Sequence, residues 1–395
     1  MKKLLMITSR NILTSCGELR LIKNRAEYLF NDYNISTDFI TFGTLNRINS
    51  ERREKINAGG KIQIIPVLSM TIVPIIIKKA LKYIENSCNT NHYAGIILSG
   101  VGTLRLARII KKKISIDIYC DVHGALEDTY ELAKTGPLIK RLRFLTIHKY
   151  EKYSFEKYAK NVDGYLVVTD ALGDYLKNRF ILKKNVKFFI IPCATSSIRI
   201  EKPDYISFRE KYRKKYNIDN DTKVFIYSGG VSTWQCIEET VQLYKELDGK
   251  LNMKTKLLMF SHNIETLKKI IGESQNIEFD SYYPEELERA LCAGDFAFLL
   301  RKDCVTNNVA FPNKYLEYVR SNLAIITTPY VYEVARQVKK YESGFIYNMY
   351  DDKKDLIRYI EQYTRCKNAE HILQLNSFNH TLEQFVEDIV DGAKN

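Results

Sequence analysis

No Cys-x-x-Cys pair occurs in this 395-residue chain. Its eight cysteines stand singly at positions 16, 88, 120, 193, 236, 292, 304 and 366, so the spacings of a zinc site or a thioredoxin-like centre are missing. Cys120, Cys193 and Cys292 lie in apolar runs, as buried free thiols do, and this fits a reducing cytoplasm. No Gly-x-Gly-x-x-Gly occurs, which disfavours a dinucleotide-binding dehydrogenase. No segment reaches the roughly 20 apolar residues of a membrane span. The nearest, Ile62 to Ile77, is uncharged but broken by Pro66 and Pro74. The apolar stretch that follows Lys2-Lys3 lasts only about five residues before Ser9-Arg10, too short for a signal-peptide core, and reads better as a first strand. Low-complexity segments and short repeats are also missing.

Acidic residues are scarce in one half only. Residues 1–190 hold 32 lysines and arginines against 17 aspartates and glutamates, whereas the remainder holds 28 against 30. The overall charge of +13 therefore belongs to the first half, which implies an anionic partner there. Hydrophobic residues make up 45% and charged residues 27%, an ordinary globular composition that argues against disorder. The length suits two or three domains, each with its own core.

Short β-rich runs alternate with helical patterns throughout, which predicts parallel α/β layers. Strands are expected at Lys3–Thr8, Ser36–Phe42, Lys61–Val67, Ala94–Ser99, Ser115–Asp121, Gly164–Thr169 and Val186–Pro192. A second series follows at Lys223–Ser228, Thr255–Ser261, Asn276–Asp280, Asp295–Arg301, Leu323–Thr328 and Gly344–Tyr347. Helical patterns such as Leu19–Tyr33 and Pro137–Lys160 fill the gaps. The pattern predicts two doubly wound domains, 1–195 and 196–372, and a final helical segment, 373–395.

The most informative stretch is Ala310-Phe311-Pro312-Asn313-Lys314-Tyr315-Leu316-Glu317-Tyr318, leading into Leu323–Pro329. It reads as a loop, a short helix and a buried strand. Pro312 suits the helix entrance. Lys314 and Glu317, three apart, can share one face. A cation for phosphates and a carboxylate for a ribose diol would then stand at a helix N-terminus, which itself attracts anions. A surface ion pair is the plainer alternative. Arg301 ends an apolar strand, the place where ligands bind in open α/β sheets; a solvated strand end is again the alternative. Tyr227-Ser228-Gly229-Gly230 ends another strand, and small residues there let a phosphate approach the backbone.

This segment, with the strand Asp295–Arg301, resembles the donor-site signature of family 4 (group 1) glycosyltransferases of the GT-B fold. In that family a Pro-x-Lys-x-x-Glu-Tyr run precedes a short buried strand. The resemblance implies two Rossmann-like domains facing a cleft, with a C-terminal helix packing back on the first. It implies a nucleoside diphosphate sugar, UDP- or GDP-linked, as donor, transfer with retention, and no bound metal. Glu317 would bind the ribose. Where the family has a further glutamate, this chain has Val309, and the backbone amides of Asn308, Val309 and Ala310 would contact the donor. The family's basic pair after the first strand of the second domain is replaced by a loop with Val231, Trp234 and Gln235. Arg301 and Lys314 would therefore neutralise the diphosphate. In the first domain, the loop glycine Gly17 would approach the donor phosphates and the acceptor. His123, in Asp121-Val122-His123-Gly124, would reach the donor sugar, with Glu127 as a weaker candidate.

The acceptor implied is a glycan or lipid-linked glycan in cell-surface polysaccharide synthesis, at the inner membrane face. Ser69–Asn86 places Ile76, Ile77, Ala80, Leu81 and Ile84 opposite Lys78, Lys79 and Lys82, which suits an amphipathic helix on anionic lipid or equally a helix packed on the core. Arg108–Lys113 and Lys140–Lys160 add positive charge. A GT-B sugar-nucleotide 2-epimerase and a non-enzymatic polyanion-binding protein remain alternatives, and a nucleic-acid partner is not expected.

Overall fold

The computed structural model describes residues 2–9, 11–13, 17–44, 56–67, 73–134, 136–192, 200–272, 274–362 and 365–392. The chain divides into two compact units: Met1–Cys193 with Phe378–Asn395, and Ala194–Ser377.

Among the described residues the first unit carries seven strands: β1 (Lys2–Thr8), β2 (Ile35–Thr44), β3 (Ile62–Val67), β4 (Gly95–Ser99), β5 (Ile118–Val122), β6 (Gly164–Val167) and β7 (Lys187–Ile190). They form one sheet in the order β3-β2-β1-β4-β5-β6-β7, parallel at every pairing. β4, β5 and β6 are buried along their whole length. This is why their sequences are continuous apolar runs and do not alternate. The strand order reverses between β1 and β4.

The second unit carries β8 (Lys223–Ser228), β9 (Thr255–Phe260), β10 (Ile277–Asp280), β11 (Phe296–Leu299), β12 (Ala324–Thr327) and β13 (Gly344–Ile346). Their order is β10-β9-β8-β11-β12-β13, again all parallel, with the reversal between β8 and β11. Phe225 stacks on Phe296 and Phe298, each at 5.4 Å between ring centroids, and locks those two central strands. The Asp295 carboxylate fixes the start of β11. It accepts from the Val224 amide at 2.8 Å and from Arg209 at 2.6 Å. Such an aspartate sits inside a core because its charge is paired.

The helical segment expected at 373–395 is not one helix. It resolves into Ala369–Leu375, Phe378–Thr381 and Glu383–Gly392, and the division between the units falls after Ser377. The last helix packs back on the first unit. Phe385 meets the edges of Tyr119 and Phe189, and Asp388 accepts from the Tyr119 hydroxyl at 2.8 Å and pairs with Lys187. Among the described residues no helix is long and apolar enough to cross a membrane.

Candidate functional site

In the second unit, the polypeptide leaving β8 turns through Gly229 and Gly230. Gly229 has φ +149°, a value that suits glycine. A Cβ built there would lie 2.0 Å from Lys314 Nζ and 3.2 Å from Gln235 Oε1, so the lysine ammonium covers this glycine directly. The Tyr227 hydroxyl holds the turn, with its one proton within hydrogen-bond reach of both the Gly230 carbonyl at 2.7 Å and Gln235 Oε1 at 2.6 Å.

Lys314 stands in the first turn of helix Asn313–Arg320, whose entrance is Pro312 in an extended conformation. Tyr318, one turn on, fixes this helix against the end of β8. Its buried hydroxyl accepts from the Ser228 amide at 2.9 Å and from the Ser228 hydroxyl at 3.1 Å. Arg301 follows β11 and is only 4% exposed. Its amide donates to Thr328 Oγ1 at 3.0 Å, the Thr328 hydroxyl donates back to the Arg301 carbonyl at 2.9 Å, and its NH1 donates to the Leu300 carbonyl at 2.8 Å.

Two cations thus gather at the reversal point of the sheet, and among the described residues neither Arg301 nor Lys314 forms an ion pair. Burial pushes the Lys314 ammonium down to about 7, and the Arg301 charge pushes in the same direction; Glu317 pulls weakly the other way. Burial also lowers Arg301. The neighbouring phenols supply no negative charge, since burial raises Tyr227 and pushes Tyr318 up to about 12. Uncompensated buried charge is costly. An anion with two negative centres would relieve both cations at once.

Asn308, Val309 and Ala310 belong to the neighbouring short helix Val305–Asn308 and its exit. Their amides already donate, to Cys304, Val305 and Asn307 carbonyls at 2.9, 3.3 and 3.2 Å. The free backbone donors expected on that loop are therefore engaged within it. The Asn308 side chain donates to the Tyr330 carbonyl at 3.0 Å and to Asp303 at 3.1 Å. Asn307 holds the loop after β11, donating to the Lys302 carbonyl at 2.8 Å.

The first unit has its own cluster at the ends of its strands. Asp121 closes β5 and is 2% exposed. Its carboxylate lies 3.0 Å from Arg25 NH1 and 3.0 Å from His123 Nε2. Burial alone would raise the Asp121 carboxyl. Arg25 and His123 together outweigh it and hold Asp121 far below the ordinary carboxylate range. Burial likewise opposes charge on His123, but Asp121, helped by Glu18, raises it overall. Gly17 opens helix Gly17–Tyr33, which carries Arg25. Glu127 is committed elsewhere: Arg179 lies at 2.5 Å and the Tyr175 hydroxyl donates to it at 2.7 Å. These contacts explain Glu127 as a clasp between helices Glu127–Ala133 and Asp170–Arg179.

The structure therefore brings Gly229, Gly230, Arg301 and Lys314 together, with Glu317 on the same helix. His123 and Gly17 lie in the other unit. Sequence reading missed Arg25, Tyr318 and Thr328. Tyr318 had a signal, since it follows Lys314 by four and shares its face. Arg25 had none, because nothing in a helical pattern marks one arginine as buried against a distant aspartate.

Residues 208–379 match the family model described as glycosyl transferases group 1. Over these residues the chain is similar to the group 1 glycosyl transferases. No curated protein matches the chain in sequence. Among solved structures, a glycosyltransferase from Rickettsia africae is similar over 100% of this chain and 99% of its own, with a TM-score of 0.71 and 13% identity. WaaG, a glycosyltransferase involved in lipopolysaccharide biosynthesis, aligns over 98% of both chains with a TM-score of 0.57 and 14% identity. Anabaena HepE, solved with UDP and glucose, aligns over 99% of this chain and 100% of its own, with a TM-score of 0.65 and 10% identity. These likenesses establish the GT-B fold for the whole chain. The matched region contains every residue of the cluster around Gly229 and Lys314.

Proposed function

We propose that the protein transfers a sugar from a nucleoside diphosphate sugar, UDP- or GDP-linked, to a glycan or lipid-linked acceptor in cell-surface polysaccharide synthesis. The observation that carries this reading is the pair of cations, Arg301 and Lys314, without ion-pair partners among the described residues, at the reversal point between β8 and β11. A diphosphate supplies the missing negative charge and is also the leaving group. Arg301 and Lys314 would stabilise the charge that develops on it as the glycosidic bond breaks. Glu317 would accept hydrogen bonds from the ribose hydroxyls. His123, whose charged form Asp121 favours, would donate to an oxygen of the sugar, and Gly17 would approach the donor phosphates. The family resemblance implies that the reaction retains configuration and needs no bound metal. HepE, solved with UDP and glucose, supports the donor class, and WaaG, involved in lipopolysaccharide biosynthesis, supports the acceptor class. Single thiols support a cytoplasmic location, at the membrane face where a lipid-linked acceptor lies.

The test is a panel of UDP- and GDP-sugars with membrane glycolipid extract as acceptor, read by nucleoside diphosphate release with and without EDTA. Acceptor-dependent release that survives EDTA is the expected result. Isomerised sugar nucleotide without release would replace transfer by epimerisation. No binding of any donor would end the reading.

A further inference from the structure

Helix Leu138–Tyr158 is anchored at its far end, where Ser154, Phe155 and Tyr158 are buried. Its middle is held to the preceding helix by the Thr129 hydroxyl, which donates to Glu151 at 2.9 Å. Its first six residues, 138–143, are exposed on every side of the helix. Leu138 is 67% exposed, Ile139 84% and Leu142 55%. A helix that serves a core buries an apolar stripe; this end buries none, so its apolar side chains contribute nothing to the fold. Lys140, Arg141 and Arg143 stand between them, and none forms an ion pair among the described residues. Arg141 Nε donates to the Ala133 carbonyl at 3.2 Å, which ties the tip across the turn at Gly136-Pro137.

We propose that this helical tip docks on an anionic lipid bilayer. Leu138, Ile139 and Leu142 enter the boundary between headgroups and acyl chains. Lys140, Arg141 and Arg143 extend their chains toward lipid phosphates. Exposed aliphatic residues interleaved with unpaired cations are the composition of an interfacial helix. A second copy of this chain is a poorer occupant, because a tip-to-tip contact sets three unpaired cations against three others. A soluble polyanion would make no use of the aliphatic residues. The inference deepens the reading of a lipid-linked acceptor, and its test does not depend on transfer.

The full chain is co-sedimented with equimolar phosphatidylglycerol and phosphatidylcholine vesicles, and with phosphatidylcholine vesicles alone, at low and high salt. The anionic vesicles should capture the wild type at low salt and release it at high salt. The triple change Leu138→Ser, Ile139→Ser, Leu142→Ser should lower partitioning about tenfold or more. The triple change Lys140→Glu, Arg141→Glu, Arg143→Glu should lower it by about two orders of magnitude or more. Both variants should stay folded and keep the wild-type UDP affinity, since the substituted side chains are exposed and, among the described residues, the only hydrogen bond removed is that of Arg141 to the Ala133 carbonyl. Wild type left in the supernatant at low salt overturns the proposal, as does full binding by the serine variant. A concentration-dependent dimer lost in the serine variant, with vesicle binding unchanged, would make the tip a self-association surface instead. Failure of UDP binding with vesicle binding intact would count against the donor reading alone.

Discussion

Lys314 and Arg301 behave as one unit at the residue scale, because Arg301 is buried, Lys314 is half-buried, neither forms an ion pair among the described residues, and each is within electrostatic range of the other. Arg301→Ala and Lys314→Ala should each weaken nucleoside diphosphate binding by about 1.5–3 kcal/mol, the range for hydrogen bonds to charged groups, and leave nucleoside binding nearly unchanged. Titration calorimetry with UDP and uridine, or GDP and guanosine, checks this; equal losses for both ligands would remove the diphosphate assignment. The Lys314 value of about 7 adds a pH signature. An unfolded lysine titrates near 10.4, so the penalty on charged Lys314 is present in full below about 7 and is relieved as pH rises. A bound diphosphate favours the charged form and raises its pKa. Affinity should therefore be full below about 7 and fall above it, with proton uptake on binding at neutral pH. An affinity flat from pH 6 to 9 would contradict this. Asp121 gives the second residue-scale prediction. Asp121→Asn leaves Arg25 buried without a counter-charge, at a cost of about 3–5 kcal/mol. The His123 pKa should fall at the same time. The raised His123 value stabilises the fold below the unfolded histidine pKa, and that contribution is lost as pH rises through the folded value. The depressed Asp121 value works oppositely and is lost only as pH falls through it. Denaturant unfolding and ring-proton titration of His123 measure both effects.

Two contacts decide the element scale: the lysine over Gly229, and Tyr318 against Ser228. The helix Asn313–Arg320 is short, and an isolated helix of that length is marginal in water. Its position is set by Tyr318 and by buried Tyr315, Leu316 and Val319. Gly229→Ala should force the ammonium away, since the new Cβ would meet Nζ at 2.0 Å. The strained φ of +149° should cost a further roughly 1–3 kcal/mol of stability. The expected outcome is a folded variant with lost diphosphate affinity and a Lys314 pKa returned toward that of an exposed lysine. Unchanged affinity would show that the glycine serves only the turn. Tyr318→Phe tests the other contact. It leaves the buried Ser228 amide without its acceptor and should destabilise by about 1–3 kcal/mol in denaturant unfolding.

At the scale of the whole molecule, two units with separate sheets and separate charge balance divide the work. The second unit carries the cluster of Gly229, Arg301 and Lys314 proposed for the diphosphate, and the first carries the excess positive charge. Saturating UDP or GDP should stabilise by mass action, about 2.7 kcal/mol at a hundredfold excess over Kd. Hydrogen exchange should slow at the end of β8, after β11 and in helix Asn313–Arg320. The edge strands β10 and β3 should be unaffected. Protection confined to the first unit would move the nucleotide site out of the second.

The sequence by itself determined the two series of parallel strands, because buried parallel strands must be continuous apolar runs and each is followed by a helical period. It also marked Gly229, Arg301, Lys314 and Glu317, since strand ends, glycines and a helix entrance are local features with local signals. The tertiary structure alone decided which of these residues meet. Gly229 and Lys314 come together because β8 and β11 are neighbours in the sheet, and strand order is a property of long-range packing. The pairing of Arg25 with Asp121 had the same origin: a helix and a strand end far apart in the chain bury one charge against another. The division of 373–395 into separate helices was also tertiary. Its apolar positions satisfy one helical period, but Ala369–Leu375 packs with the second unit, whereas Phe385 and Asp388 are held by Tyr119 of the first. A periodic pattern records which side of a helix is buried, and only the folded chain decides against what.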